Sequence, residues 1–343
     1  MTAQKTAPPP TGKGPPAKSW LQAHRVLLGI IAIVAVVAGG GIYVAVTAAN
    51  VRTNAAPVST PVSGDLLFID LSNGQDQVEK VRMDTPGGAR SGTSMRCQRV
   101  YAAAGITVCL RLAGPGPTYE TAVLDASGKV LRTIGLAGIP NRARVSASGK
   151  IVSWTTFVSG DSYTVPGGFS TRTGILDLRT GQVVDTLEDF TATVGGQRFT
   201  VGNRNFWGVT VASDDRTFYA TMASDNRTWL MKGDLVARTM QDVRQTAECP
   251  SLSPDGTKVA YKKRTSRLGP WELAVLDLAN DKELTLPGTV GIDDQAAWLD
   301  NGHLAYGKVS QAGQKSAIYG VPADGSAPPE LMIPDAASPV PLH

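Results

Sequence analysis

Histidine occurs only three times in 343 residues, at His24, His303 and His343. No two of them have metal-ligand spacing on one element. Neither HExxH nor CxxC occurs, so the usual zinc frameworks have no representative. There is no G-x-S-x-G elbow; the nearest stretch, GFSTR, lacks the second glycine. GPGPTY is no phosphate loop, because its prolines remove the amide donors such a loop needs. His303 follows a turn and reads as a polar surface residue rather than a general base. The chain offers no catalytic set, and nothing in it implies a cofactor or a metal.

Net charge is also missing from most of the chain. The formal charge is +4, but Lys5, Lys13, Lys18 and Arg25 stand in the first 25 residues, which hold no acid. Setting those four aside from the 33 basic residues leaves 29, against 29 acidic residues. A nucleic-acid binder needs a concentrated basic face, so nucleic acid is not the expected partner.

From Val26 to Ala49 there are 24 residues without a charge. A helix of that length reaches roughly 36 Å, enough to cross a bilayer core with some tilt. It has no polar face and is too long for a buried core helix. Its apolar region also exceeds that of a cleaved signal peptide, the competing reading, although VTAAN offers small residues of the right kind. Basic residues precede it, which places residues 1–25 in the cytoplasm and the remainder beyond a plasma membrane crossed once. The resulting division is a disordered Pro-rich tail (1–25), a transmembrane helix (26–49), a linker (50–63) and one domain (64–340). Gly39 to Gly41 would let two such spans approach, giving weak self-association.

Three cysteines accompany this topology. Cys97 and Cys109 bracket a hairpin-like segment. If it is symmetric about Ala103 they face each other within disulfide range, and a bulge at Gly105 would shift that register. An oxidising exterior favours the bond; the alternative is two buried free thiols on adjacent strands. Cys249 precedes Pro250 at a strand start and reads as a small buried apolar residue, although pairing with either other cysteine stays open.

With 37 Gly and 22 Pro and few stretches that could be helical, the domain reads as all-β. Two elements recur. The first is a turn followed by an alternating strand: VSASGKIVSW, VASDDRTFYA, LSPDGTKVAY and WLDNGHLAYG. In Ser-Pro-Asp-Gly the proline pre-sets one angle, the aspartate bonds its own backbone and the glycine takes positive φ. The second is a strand ending near an aspartate, then a turn. Its anchors Asp70, Asp125, Asp177, Asp277 and Asp324 are separated by 55, 52, 100 and 47 residues, and a divergent copy in TWLMKGDLVAR fills the long gap. A period near 50 with four strands per unit is the signature of a β-propeller. The expected fold is all-β: six blades of four-stranded antiparallel sheets, starting near residues 64, 96, 141, 197, 247 and 291, preceded by one transmembrane helix. The first unit is short of strands, and SPVPLH at the C-terminus can supply one. Seven blades, or five with an appended hairpin, are the alternatives.

LSPDGTKVAY followed by WELAVLDLANDKELTL resembles the propeller (PD40-type) repeat of the TolB family. With RVSASGKIVSWTTFVSGDSY, FSTRTGILDL, NFWGVT, FYAT and DDQAAWLD, the ordered series over roughly residues 64–340 looks like a group of actinobacterial membrane-anchored TolB-like proteins. The resemblance implies a propeller that binds protein partners in the cell envelope. The chain differs from periplasmic TolB in its uncleaved anchor and in lacking an evident N-terminal α/β domain, so roles specific to the Tol–Pal system are not carried over.

Candidate binding residues follow from the propeller, whose inner strands and entry loops line the axis. Asp293, Asp294 and Gln295 precede the apolar AAWL strand and are placed at a channel mouth. Neither that acidic pair nor Asp214–Asp215 has the regularly spaced oxygens of a calcium loop; Asp214–Asp215 occupies a turn. Asn205, Phe206 and Trp207 form a contact patch, unless the two rings pack between blades. Arg172 is a partner for Asp293 or Asp294 across the axis, or for a ligand carboxylate. The function expected is a non-enzymatic binding module for a protein or peptide. The alternatives are a propeller hydrolase or lyase, or a ligand sensor, using the axial pocket.

Overall fold

A computed structural model describes residues 24–53, 59–72, 76–114, 116–159, 169–264, 266, 269–309 and 314–343. The expected tail at 1–25 therefore lies outside the described residues except for its last two, as does the middle of the expected linker. The chain divides into two compact units, Met1–Ala55 and Ala56–His343.

The first unit contains one helix, Arg25–Thr53. Its stretch Val26–Tyr43 is long and apolar enough to cross a membrane, and none of it is buried by protein.

The second unit is a ring of six β-sheets. From the innermost strand outward, blade one is Ala336–Pro341, Asp65–Asp70, Gln77–Arg82 and Ser91–Arg96. Blade two is Arg99–Ala103, Ile106–Leu112, Tyr119–Leu124 and Val130–Leu136. Blade three is Ile139–Val145, Ile151–Ser159, Phe169–Asp177 and Val183–Val184. Blade four starts with Asn205–Val211, Thr217–Ser224, Arg227–Asp234 and Thr239–Gln245. Blade five is Glu248–Leu252, Lys258–Arg264, Trp271–Asp277 and Glu283–Thr285, and blade six is Ala297–Trp298, His303–Lys308, Ala317–Pro322 and Glu330–Ile333. Blade four has the expected four antiparallel strands and carries two more at its outer edge. There Thr191–Val194 pairs in parallel with the outermost strand and is followed by Gln197–Arg198, covering an edge that would otherwise be open.

The alternation of side chains along a strand explains why the ring closes. Leu66 and Phe68 pack with Ala305 and Ile318 of blade six. Their neighbours Leu67 and Ile69 pack with Val100 and Leu124 of blade two. Both faces of a blade are thus apolar, and the six buried clusters each fill one gap between adjacent blades. The C-terminal strand completes the wheel, with Leu67 opposite Val340 and Ile69 opposite Ala337. Two glycines let large rings lie over the backbone. A Cβ on Gly174 would stand 2.5 Å from the Trp154 indole, and one on Gly233 would stand 2.2 Å from the Phe218 ring.

The repeated aspartates have a structural task. Asp177, Asp234 and Asp277 end the third strands of their blades, and Asp125 and Asp324 closely follow theirs. Each side chain accepts backbone N–H groups of the turn that follows, from Ser127 and Lys129, Arg179, Val236 and Ala237, Ala279 and Asn280, and Ser326. Side-chain and backbone donors hold the carboxyls of Asp125, Asp177, Asp234 and Asp324 below their ordinary range. The first copy breaks this register. Asp70 ends the second strand of its blade, because the C-terminus supplies the first.

The cysteines are joined as expected but through a different register. The hairpin turns at Ala104 and Gly105, both with positive φ, so Val100 faces Cys109. Cys97 lies before the strand, in the crossing from blade one, and its disulfide to Cys109 spans 5.3 Å between Cα atoms. Cys249 is free and buried.

Candidate functional site

Innermost strands all enter from one face of the ring and leave at the tight turns on the other. At the entry face a funnel of about 530 Å³ opens on the axis, lined by residues of all six blades. Its charged walls are Arg99, Arg142, Glu248, Lys262, Arg264, Asp293 and Asp294, with Trp207, Trp271 and Phe157 beside them.

Backbone irregularity aims these side chains. Four of the six innermost strands carry one extra residue at this level: at Asn141, between Trp207 and Thr210, between Glu248 and Ser251, and between Ala337 and Val340. Bulges re-aim side chains next to sites. Cys249 and Ser338 take the left-handed conformation inside theirs, at φ 52° and 54°. Gly208 is required at the same level, since a Cβ there would stand 2.8 Å from the Cys249 Cα.

The loop before blade six is held from both sides. Arg142 Nη1 lies 3.4 Å from Asp294 Oδ1, and its Nη2 donates to the Asp293 carbonyl at 2.9 Å. Lys262 Nζ donates to the same carbonyl at 3.1 Å. Ser338 Oγ and the Gln295 N–H also donate to Asp294, at 3.1 and 2.8 Å. Burial opposes ionisation of Asp294, but Arg142 and Arg99 outweigh it and bring its carboxyl down to about 2. Glu248 goes the other way. Burial pushes its carboxyl up to about 7, only partly countered by Lys262, Arg264 and Arg142.

The structure separates the sequence candidates. Asp293, Asp294 and Trp207 line the funnel. Gln295 lies behind it, buried, donating to the carbonyls of Pro250 and Gly208 and so tying the innermost strands together. Phe206 is in the core with Phe218 and Trp229, the packing alternative to a contact patch. Asn205 Oδ1 accepts the Thr171 N–H at 2.8 Å, which joins blade four to blade three. Arg172 is exposed on the third strand of blade three, and the partners of Asp293 and Asp294 are Lys262 and Arg142 instead. The alternation of that strand decides it: Thr171 and Thr173 face inward and accept the interior, so Arg172 faces out.

Arg99, Arg142, Glu248, Lys262, Arg264 and Trp271 were not singled out by the sequence. A signal existed for some of them. Counting back four or five residues from the start of each inner turn lands on Arg142, Trp207, Glu248 and Asp294.

His303 belongs to the opposite face. Its Nδ1 lies 3.0 Å from both oxygens of Asp300 in its own turn, and the side chain is 58% exposed. Among the described residues, no group of three or more His, Cys, Asp or Glu is placed to hold a metal ion.

No protein-family model matches the chain, and no curated protein matches it. Solved structures do. TolB from Acinetobacter baumannii superposes with a TM-score of 0.59 at 16% identity, over 82% of this chain and 67% of that one. The fold is that of a TolB-like six-bladed propeller. Putative TolB from Agrobacterium tumefaciens matches with a TM-score of 0.50 at 10% identity, over 78% of this chain and 88% of that one. A nidogen/laminin complex matches with 0.52 at 10% identity, over 80% and 97%. At these identities the TolB-like likeness is one of fold, and function has to be read from the site.

Proposed function

We propose that the chain is a membrane-anchored, extracytoplasmic propeller that binds a protein or peptide segment in its axial funnel and performs no chemistry of its own. The observation that carries this reading is the funnel, where five separate blades bring charged or aromatic side chains to one concave mouth of about 530 Å³ that the remaining blade closes with Leu71 and Ala337. That size suits a few residues of an inserted segment, and the flanking rim suits the body of a partner. The TolB-like fold supports a scaffold role by analogy only.

The anchor rests on Val26–Tyr43, whose side chains are exposed around the whole helix. An apolar cylinder of that length needs lipid around it. Basic residues before it and the Cys97–Cys109 disulfide both favour the propeller lying outside the cytoplasm.

The test is site-specific photo-cross-linking in intact cells from a probe replacing Trp207, repeated with Asp293→Ala and Lys262→Ala. A defined adduct that weakens with either substitution is the expected result. An adduct pattern indifferent to both, or identical with the probe moved to exposed Val236 on the turn face, would defeat the reading.

A further inference from the structure

The axis holds more buried positive charge than the fold balances. Arg144 is 7% exposed, and its Nη2 donates to Ser251 Oγ at 3.3 Å and to the Ala296 carbonyl, both neutral acceptors. Arg99 donates from Nε to the Asn141 carbonyl and from Nη1 to the Gln98 carbonyl, each at 2.7 Å. Among the described residues neither has a carboxylate within ion-pair distance. Only Arg142 does, through Asp294. Burial holds the Arg99 guanidinium below its usual range even with Asp294 nearby. Arg144 is buried and lies over the Tyr101 ring, whereas Arg99 is half-buried and lines the funnel, so Arg99 is the cation that a counter-charge from outside can reach.

The funnel's own acids do not meet that demand. Asp294 is committed to Arg142, Ser338 and the Gln295 N–H. The Asp293 carboxylate, 86% exposed at the rim, lies 3.7 Å from Lys262 Nζ and is taken up by that cation. Glu248 is largely uncharged in mildly acidic solution, because burial raises its carboxyl to about 7.

A second cavity of about 690 Å³ adjoins the funnel between blades four and five. It shares Glu248, Arg264 and Trp271 with it and adds Arg227. Arg264 lies 3.9 Å from the Trp271 ring centre, and Lys262 Nζ lies 4.8 Å from it. A ring already engaged by two cations is poorly placed to stack a sugar or a base, which favours carboxylates on a peptide as the anionic groups.

We propose that the bound segment is an acidic peptide. One carboxylate sits at the axis against Arg99, and others run outward through the cleft past Arg264 and Arg227. This rests on the reading of the funnel as a peptide site and adds the chemistry that site selects.

The experiment uses the full chain in detergent micelles and fluorescence anisotropy. The probes are a fluorescein-labelled Asp-Gly-Ser repeat of about a dozen residues, long enough extended to run along both cavities, its Asn-Gly-Ser counterpart, and a single-stranded oligonucleotide. The acidic peptide should bind roughly tenfold or more tighter than the Asn peptide. Arg99→Gln should remove most of that difference. Arg227→Glu, on an exposed residue, should weaken the acidic peptide without disturbing the axis. Glu248 faces Lys262 and Arg264 on the next strand, Arg142 of blade three and Asp293 of the loop before blade six. Its ionisation opposes an acidic ligand, so affinity should fall as pH rises through about 7, and Glu248→Gln should flatten that profile. Equal binding of both peptides would overturn the acidity while leaving a peptide site standing. Binding of the oligonucleotide as tight as that of the acidic peptide would overturn the peptide assignment in favour of any polyanion. If neither peptide bound while the cross-linked partner persisted in cells, this inference would fail and the broader function would survive; loss of both would end both.

Discussion

The Arg142 guanidinium of blade three stands 3.4 Å from the Asp294 carboxylate, which belongs to the loop opening blade six on the far side of the axis. Their side chains are 10% and 16% exposed. Removing one partner leaves the other charge buried and unpaired, so Asp294→Asn should cost about 3 kcal/mol or more in urea unfolding. Replacing the pair by Arg142→Met with Asp294→Leu should recover most of it. The depressed carboxyl adds a pH signature. Its contribution is present above the ordinary value of 3.8 and is lost as pH falls toward about 2. A single variant as stable as the parent would show that the pair is not buried.

Glu248 predicts the opposite slope. Its carboxyl rises from an ordinary 4.5 to about 7 in the fold. The native state therefore binds the proton more tightly, and this group's contribution is fully present below pH 4.5 and lost as pH rises to about 7. The loss is on the order of 3 kcal/mol. Glu248→Gln should remove that part of the slope in denaturation midpoints measured from pH 4.5 to 8, and an unchanged profile would sink the assignment.

The thiols can be counted. Native chain should expose no maleimide-reactive cysteine. Denatured, unreduced chain should expose one, Cys249, and reduction should raise this to three. Replacing Cys97 and Cys109 by Ala should lower stability by about 3 kcal/mol, because the bond closes a short loop in the unfolded chain. Three reactive thiols without reductant would contradict the pairing.

Ring closure depends on the last strand. Val340 is 1% exposed and lies opposite Leu67. Truncation after Asp335 would bare the whole edge of Asp65–Asp70, a strand buried along its length. The truncated protein should lose its cooperative unfolding transition and associate, as read by light scattering. Val340→Ala, which keeps the strand, should cost only about 1–3 kcal/mol.

The blade count was legible because each repeat carries local chemistry. Turn aspartates cap backbone N–H groups wherever they stand, so LSPDGTKVAY announces its hairpin without any neighbour. The same local logic failed at Asp70, where the missing first strand comes from the other end of the chain. It failed again at the hairpin of Cys97, where a two-residue turn replaced one centred on Ala103. Asp293 and Asp294 were placed at the channel mouth because they precede a strand that had to be innermost, whereas Trp207, proposed as part of a contact patch, stands within its innermost strand and lines the funnel. Arg172 was misplaced because a one-residue step along a strand exchanges its faces.

By itself the sequence determined the apolar N-terminal helix, the neutral body, the repeated strands and the turns between them. Each depends on composition or on contacts within a few residues. Tertiary structure alone decided the axis. Arg99, Arg142, Glu248 and Asp294 come from four different blades, with Lys262 beside Glu248 on the next strand, and bulges in their own strands turn Arg142 and Glu248 toward the axis. Their charge states follow from burial and from that meeting, which no short stretch of the chain contains.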